Sequence, residues 1–248
     1  KGIQDSQLIT IDGKVMAVAF MANTQHLYYR EDVLKELGIP VPKTYEEVVA
    51  ASEKIRASGK MQHPYAAAYK AGWNLAEEFV NMFIGHGGEF FKAGTAEPNI
   101  NNAKGVATLN MLKKLASLSN PDYLTHDSEA IKVEWESGKV ALMTLWASRS
   151  GTLLDDEGDA KITAATKLTG PATVGGGNIP AATLWWDGFT LAKNRSDSDA
   201  EATFIALAHA ASNKKMVADA ADQAVWLVEG FVPGPKSIGV IEAVKMGA

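Results

Sequence analysis

The side chains best suited to bind a small molecule are tryptophans beside polar or charged residues. Trp185 and Trp186 precede Asp187, and Trp146 precedes Arg149 by three positions. An indole ring offers a flat apolar face, while carboxylate and guanidinium groups form directional, charge-assisted hydrogen bonds. Neighbouring strand residues face opposite sides of a sheet, so one of the two adjacent tryptophans can be core while the other needs a second surface or a cleft.

Two of these residues, and a further pair, lie where a helix begins. Trp146 and Arg149 follow an apolar segment predicted to be a strand, and strand ends and helix starts are where open α/β sheets bind solutes. Trp73 and Asn74 stand at the predicted start of another helix. Each candidate also has a purely structural interpretation. Asn74 could cap its helix, Asp187 could form an ion pair or cap a turn, and Arg149 could pair with Asp155 or Glu157; Trp135 and Trp226 are predicted to be core.

Catalytic motifs are absent from the sequence. There is no G-x-S-x-G, H-E-x-x-H or Walker A sequence, and the five histidines are dispersed. The adjacent carboxylates Glu77-Glu78 and Asp155-Asp156 would turn apart on a helix, so we interpret them as solvated charges. We therefore expect no catalytic residue, no metal and no cofactor. A glycosidase needs two carboxylates facing each other across a bond, and such a pair stays open as the enzyme alternative.

Composition limits the possible partners. The chain has 248 residues, a formal net charge of −5 and no cysteine, so disulfides and thiolate metal sites are excluded. Lys and Arg are scattered, whereas duplex binding needs a concentrated positive field, so we expect no nucleic-acid partner. The longest apolar run, 15–22, is far shorter than the roughly 20 residues that cross a bilayer. The length predicts one or two domains.

Strand and helix signals alternate along the chain. Asp12-Gly13 between apolar runs predicts a hairpin, and a third strand follows at 26–29. Thr44 and Glu47 predict a capping box. A helix capped by Asn102 is predicted to place Val106, Leu109, Leu112 and Leu115 on one face. Further predictions are strands at 140–145, 162–166 and 185–191, helices at 128–137, 198–211 and 214–223, and a long mobile loop at 170–182. The alternation favours an α/β layered architecture.

The order of several motifs resembles the family 1 extracellular solute-binding proteins, which include maltose-binding protein. The matching segments are DGKVMAV (12–18), LYYREDVL (27–34), GIP (38–40), PKTYEE (42–47), WESGKVALM (135–143), WDGFTLAKN (186–194) and the turn at 230–237. The family normally carries most of one lobe before the first motif and a helical segment after the last. The chain therefore resembles a fragment of such a receptor.

The resemblance implies a fold and a function. The fold would be α/β, periplasmic-binding-protein-like (type II), with one lobe largely complete and the other partial. Residues 1–24 and 183–248 would belong mostly to the first lobe, and 25–182 to the second. A carbohydrate would be captured in the interlobe cleft and delivered to the membrane permease of an ABC transporter. The protein would be a monomer and not an enzyme, located in the periplasm or another extracytoplasmic compartment and associated with the membrane through its transporter.

The resemblance also adds site residues and alternatives. Asn23 and His26 fall where the first crossover strand would meet the cleft, although a lone histidine more often has a structural role. The family places a ligand-facing aromatic near Trp146 and passes a hinge strand through Trp186-Asp187. A polyol or another non-sugar solute stays open as the ligand. So do a glycoside-processing enzyme and a fragment that binds nothing by itself.

Overall fold

The computed structural model describes residues 8–153 and 158–210. These residues form two compact units. Unit 1 contains 8–24, 147–152 and 184–210, and unit 2 contains 25–146, 153 and 158–183. The boundaries predicted from the sequence leave 147–152 within 25–182. As a division into lobes, the boundaries 1–24, 25–182 and 183–248 stay a prediction.

Unit 1 is built on a three-stranded antiparallel sheet. Its strands are β1 (Leu8–Ile11), β2 (Lys14–Asn23) and β7 (Trp185–Phe189), and they lie in that order across the sheet. A 3-10 turn (Ala147–Arg149) and α8 (Asp197–Ala210) complete the unit. The turn between β1 and β2 is the predicted one, because Asp12 (φ 51°) and Gly13 (φ 73°) both adopt the left-handed backbone that this hairpin requires.

Unit 2 has a four-stranded mixed sheet between two layers of helices. Its strands are β3 (Gln25–Arg30), β4 (Tyr65–Ala66), β5 (Leu142–Trp146) and β6 (Thr166–Thr169), and their order across the sheet is β4-β5-β3-β6. Its helices are α1 (Glu31–Glu36), α2 (Tyr45–Ala57), α3 (Trp73–Gly85), α4 (Ala103–Ala116), α5 (Ser128–Glu136) and α7 (Ala160–Ala165). The short α6 (Ser150–Leu153) connects the two units along the chain.

Two apolar clusters form the core of unit 2. Leu27 and Tyr28 are neighbours in β3 and pack into different clusters, as the alternation of side chains along a strand requires. The first cluster is covered by α1 to α4. The second contains Trp135 of α5, which is fully buried, as predicted, and whose indole N–H donates to Thr166 Oγ1 at 2.9 Å. Among the described residues, no helix is both long enough and apolar enough to cross a membrane.

The capping box predicted at α2 is present. Thr44 Oγ1 accepts from the Glu47 amide at 3.1 Å, and Glu47 Oε2 accepts from the Thr44 amide at 3.3 Å. We expect Thr44→Ala to lower the free energy of unfolding by about 1 kcal/mol, because one amide at the helix start loses its partner. Thr44→Ser keeps the oxygen and should stay near wild type. Urea denaturation measures both, and equal midpoints for Thr44→Ala and wild type would contradict the assignment.

Three local predictions are wrong. The strand predicted at 162–166 is largely α7, which Asp159 caps by accepting from the Lys161 amide at 2.8 Å, and β6 begins only at Thr166. On α4, Leu112 and Leu115 are buried, but Val106 is 56% exposed and Leu109 53%. A spacing of three falls about 60° short of a full helical turn at each step, so four such residues cannot share one face.

The third correction concerns residues 170–182, which contain no helix or strand but are not a detached loop. Thr173 pairs with the start of α2, where the Tyr45 amide donates to its carbonyl at 2.8 Å and its own amide donates to the Lys43 carbonyl at 3.0 Å. Val174 and Ala181 are buried in the first cluster of unit 2. The Gly and Pro content predicted the lack of regular structure, but not this packing. The helix predicted at 214–223, Trp226 and the turn at 230–237 lie outside the described residues.

Candidate functional site

In unit 2, two of the candidate tryptophans form a stacked pair. Trp73, the first residue of α3, lies over Trp146, the last residue of β5, with ring centroids 6.2 Å apart and an interplanar angle of 21°. Trp146 is only 6% exposed, whereas Trp73 is 52% exposed. Gly72 (φ 108°) turns the chain into the helix through a conformation that other residues rarely adopt. The pair therefore presents a half-exposed indole supported by a buried one.

A buried polar network lies one turn further along α3. Gln25 Nε2 donates to Glu78 Oε1 at 2.8 Å, and Asn81 Nδ2 donates to Gln25 Oε1 at 3.0 Å. All three side chains are buried. Burial raises the pKa of the Glu78 carboxyl to about 8, although the hydrogen bond from Gln25 lowers it and the charge of Glu77 raises it further. The carboxyl is therefore mainly protonated at neutral pH.

Three buried tyrosines surround this network. The hydroxyls of Tyr45 and Tyr65 lie 3.3 Å and 2.9 Å from Thr144 Oγ1, and Tyr69 is the third. Burial raises the pKa of all three phenols; the proximity of Glu78 raises them further, while hydrogen bonds partly oppose the shift. All three are neutral at physiological pH, and the Tyr45 and Tyr65 hydroxyls tie α2 and β4 to strand β5.

Glu78 is not among the site residues predicted from the sequence, and the interpretation of Glu77-Glu78 as solvated charges is wrong for Glu78. Adjacent helical residues do turn apart, but this turns Glu77 toward a partly exposed position and Glu78 into the core, where it is 3% exposed. Glu77 Oε1 accepts a hydrogen bond from Thr183 Oγ1 at 2.5 Å. The signal in the sequence was the spacing Leu75, Glu78, Met82, which puts the carboxyl on the inward stripe of α3.

The other two candidates of unit 2 also lie near these groups along the chain. His26 follows Gln25 in β3 and is buried. Asn74 is the second residue of α3 and is partly exposed; Gly72 is the N-cap, so the helix-capping interpretation of Asn74 is wrong. Asn74 is thus one residue from the exposed indole of Trp73.

In unit 1, Asn23 is held at the end of β2. Its Nδ2 donates to Ser148 Oγ at 2.9 Å, and its Oδ1 accepts from the Ser148 amide at 3.2 Å. The backbone beside it is also paired, because the Ala147 amide donates to the Thr24 carbonyl at 2.9 Å. Arg149 ends the same 3-10 turn and is partly exposed. Residues 155 and 157, its suggested ion-pair partners, lie outside the described part of the chain.

The strand β7 brings the remaining candidates next to Asn23. Asn23 pairs with Trp185, Ala22 with Trp186 and Met21 with Asp187 in the antiparallel ladder. Trp185 Nε1 donates to Asp187 Oδ1 at 3.2 Å, which places these two side chains on the same face of the strand. Asp187 therefore lies within a strand and does not cap a turn.

The nine candidates thus fall into two sets. Unit 1 holds Asn23, Arg149, Trp185, Trp186 and Asp187, and unit 2 holds His26, Trp73, Asn74 and Trp146. Within the described ranges, no three His, Asp or Glu side chains are grouped so that they could hold a metal ion. What the two sets offer is non-covalent: indole faces, amides, a carboxylate and a guanidinium.

The chain is similar in sequence to binding proteins of ABC transporters. A probable ABC transporter-binding protein of Deinococcus radiodurans is 29% identical over 193 residues, which is 75% of this chain and 44% of that protein. A maltodextrin-binding protein of Bacillus subtilis is 27% identical over 132 residues, or 52% of this chain and 31% of that protein. The chain therefore spans less than half the length of these two relatives.

Solved structures show the same fold. A maltose-bound MalE3 of T. maritima superposes with a TM-score of 0.77 at 22% identity, covering 88% of this chain and 56% of that one. A ribitol complex of a solute-binding protein from Agrobacterium radiobacter gives 0.75 at 23%, covering 89% and 55%. The fold is thus the α/β, periplasmic-binding-protein-like (type II) fold that the resemblance implied. The family described as bacterial extracellular solute-binding protein matches residues 3–216, and the chain belongs to that family.

Proposed function

We propose that this chain belongs to a receptor that captures a carbohydrate or a polyol outside the cytoplasm and delivers it, unchanged, to the permease of an ABC transporter. The observation that carries the proposal is the Trp73–Trp146 stack, in which a half-exposed indole is backed by a buried one. A pyranose ring or a polyol chain presents C–H groups on one side and hydroxyls on its edges. The C–H side packs on an aromatic face, and the hydroxyls need directional partners.

The described polar candidates suit those hydroxyls. In unit 2, Asn74 stands beside Trp73 and can both donate and accept. In unit 1, Asp187 and Arg149 offer the charged acceptor and donor that fix hydroxyl directions, and Asn23 lies at the end of the paired strand. Trp185 and Trp186 are the further aromatic candidates. His26 is buried and would act through its neighbours in β3.

Several of the similar proteins support this ligand class. One similar protein is named for binding maltodextrin, and three similar solved structures hold maltose, ribitol and D-mannitol. For this chain we propose sugars first and polyols second. We also propose that it acts as a monomer and catalyses no reaction, so the sugar recovered from the complex should be unchanged.

The test is a thermal-shift screen of the whole chain against monosaccharides, oligosaccharides and polyols, followed by Trp73→Ala on any ligand found. A ligand at a hundred times its dissociation constant should add about 2.7 kcal/mol to the stability of wild type. Because a central tryptophan commonly contributes ~2 kcal/mol to binding, Trp73→Ala should weaken affinity roughly 30-fold.

Phe91→Ala is the matched control, because Phe91 is also an aromatic side chain of unit 2 and is 56% exposed. It should bind like wild type. A ligand that Trp73→Ala binds as tightly as wild type would remove Trp73 from the site, and hydrolysis of the sugar during the titration would favour an enzyme. A flat screen with wild type would count against carbohydrate capture by this chain.

A further inference from the structure

Helix α3 touches three of the places where the chain passes between the units. Within the described residues, the chain crosses at 24/25, 146/147, 152/153 and 183/184. The unit 2 residue at the first crossing is Gln25, at the second Trp146 and at the last Thr183. Each of these residues has its contact with α3: Gln25 with Glu78, Trp146 with Trp73, and Thr183 with Glu77. The segment at 152/153 is instead held by Leu153 in the second core cluster.

The three contact residues of α3 lie close together. From Trp73 to Glu78 the helix rises only about 7.5 Å, so all three contacts belong to its first turn and a half. Trp73 and Glu77 are four residues apart and share a face of the helix, while Glu78 points toward the core. A single rigid segment therefore holds the three junction residues and also carries the exposed indole.

The contacts are of a kind that resists displacement. Gln25 and Trp146 are buried, as is the Glu78 side chain that Gln25 contacts. Moving α3 away from Gln25 and Trp146 would therefore leave polar groups unpaired or open a cavity. Thr183 and Glu77 are less buried, but their hydrogen bond has a carboxylate as acceptor. A shift of α3 would thus be shared by the junction residues instead of being absorbed by a loose side chain.

We propose that Glu77 and Glu78 are positioning residues, which hold Thr183 and Gln25 in fixed relation to the Trp73–Trp146 stack and so couple ligand contact at Trp73 to the strands that leave unit 2. The consequence for ligand affinity rests on the function proposed above. The coupling between the junction residues does not, because it is a property of unit 2 without ligand.

Thr183→Val tests the coupling by removing the hydroxyl donor at nearly constant volume. With a ligand from the screen, we expect affinity to fall roughly tenfold, the usual size of a lost hydrogen bond to a charged group. Thr183→Ser, which keeps the hydroxyl, should stay within about twofold of wild type. Glu77→Ala should reproduce the loss, and the double variant should lose no more than either single one, since both remove the same bond.

The control is Thr125→Val, which removes another threonine hydroxyl bond of unit 2, from Thr125 Oγ1 to the Asp122 carbonyl at 2.9 Å, at a position distant along the chain from the four crossings. Thr125→Val should bind ligand like wild type even if urea denaturation shows that it is as destabilised as Thr183→Val. An equal loss of affinity in Thr125→Val and Thr183→Val would make the effect a general one of stability and would overturn the proposal. So would wild-type affinity in Thr183→Val.

Amide hydrogen exchange without ligand keeps the proposal testable if wild type binds nothing in the screen. In Thr183→Val we expect faster exchange at the start of β7 and also at the Gln25 end of β3, because both junctions depend on α3. Faster exchange confined to residues 183–185 would overturn the coupling. The exchange result does not depend on whether the screen finds a ligand. The proposed coupling and the proposed carbohydrate binding can therefore fail separately.

Discussion

Glu78→Gln will remove a large part of the pH dependence of stability between about pH 4.5 and pH 8. The ordinary pKa of a glutamate is 4.5, and burial raises that of folded Glu78 to about 8. Below pH 4.5 the carboxyl is protonated in both the folded and the unfolded chain, and this group contributes no pH dependence. Above that pH the unfolded carboxyl ionises while the folded one keeps its proton.

The sign follows from this difference in bound protons. As the pH rises from 4.5 to 8, the folded state holds more protons, so the free energy of unfolding falls, by at most about 1.4 kcal/mol for each pH unit. Above pH 8 both states are ionised and the loss is complete. Gln stays neutral at every pH, and its amide oxygen can accept from Gln25 as the carboxyl oxygen of Glu78 does.

The measurement is urea denaturation of wild type and Glu78→Gln at several pH values across this range. The free energy of unfolding of Glu78→Gln, relative to that of wild type, should increase as the pH rises. Glu53→Gln, on the exposed side of α2, is the control and should follow wild type throughout. Parallel curves for wild type and Glu78→Gln would mean that Glu78 does not carry the pH dependence.

Trp146→Ala will destabilise the chain far more than Trp73→Ala, although the two indoles are in contact. Trp146 is almost completely buried at the end of β5, and its carbonyl accepts from the Tyr28 hydroxyl at 3.3 Å. Replacing a buried tryptophan with alanine costs about 3–5 kcal/mol, because it loses apolar contact and leaves a cavity. Trp73 is half exposed and its loss leaves no enclosed cavity, so Trp73→Ala should cost only about 1–2 kcal/mol.

Equilibrium unfolding in urea, followed by circular dichroism, gives both values. If Trp146→Ala does not fold, Trp146→Phe tests the same burial with a smaller loss. Similar costs for the two alanine variants would mean that the indoles are equally buried, and would contradict the description of the stack as an exposed ring on a buried support.

Local signals in the sequence were sufficient where the chain contacts its own near neighbours. The Asp12-Gly13 hairpin, the Thr44 capping box and the Asn102 cap are all present, because each depends on residues within a few positions. The resemblance to solute-binding receptors also gave the right family and fold, from motifs spread over most of the chain.

What the sequence did not reveal depends on partners far along the chain. Glu78 looks like a surface charge until Gln25, 53 residues earlier, is placed beside it. The segment 170–182 looks mobile until Thr173 pairs with Lys43 and Tyr45 at the start of α2. The Trp73–Trp146 stack joins a helix start to a strand end 73 positions later. The spacing along α3 indicates that Glu78 faces inward, but pattern and propensity do not identify the distant partner in any of these contacts, because tertiary packing creates them.

The first turns of α3 also bear on how such receptors diverge. Asn74 is partly exposed and is not one of the α3 residues that contact a junction residue, whereas Trp73, Glu77 and Glu78 contact Trp146, Thr183 and Gln25. Under the proposals above, a substitution at Asn74 would change the ligand contacts while Trp73, Glu77 and Glu78 keep their partners. A change of ligand would then require few substitutions, and the contacts between α3 and the junction residues would be retained.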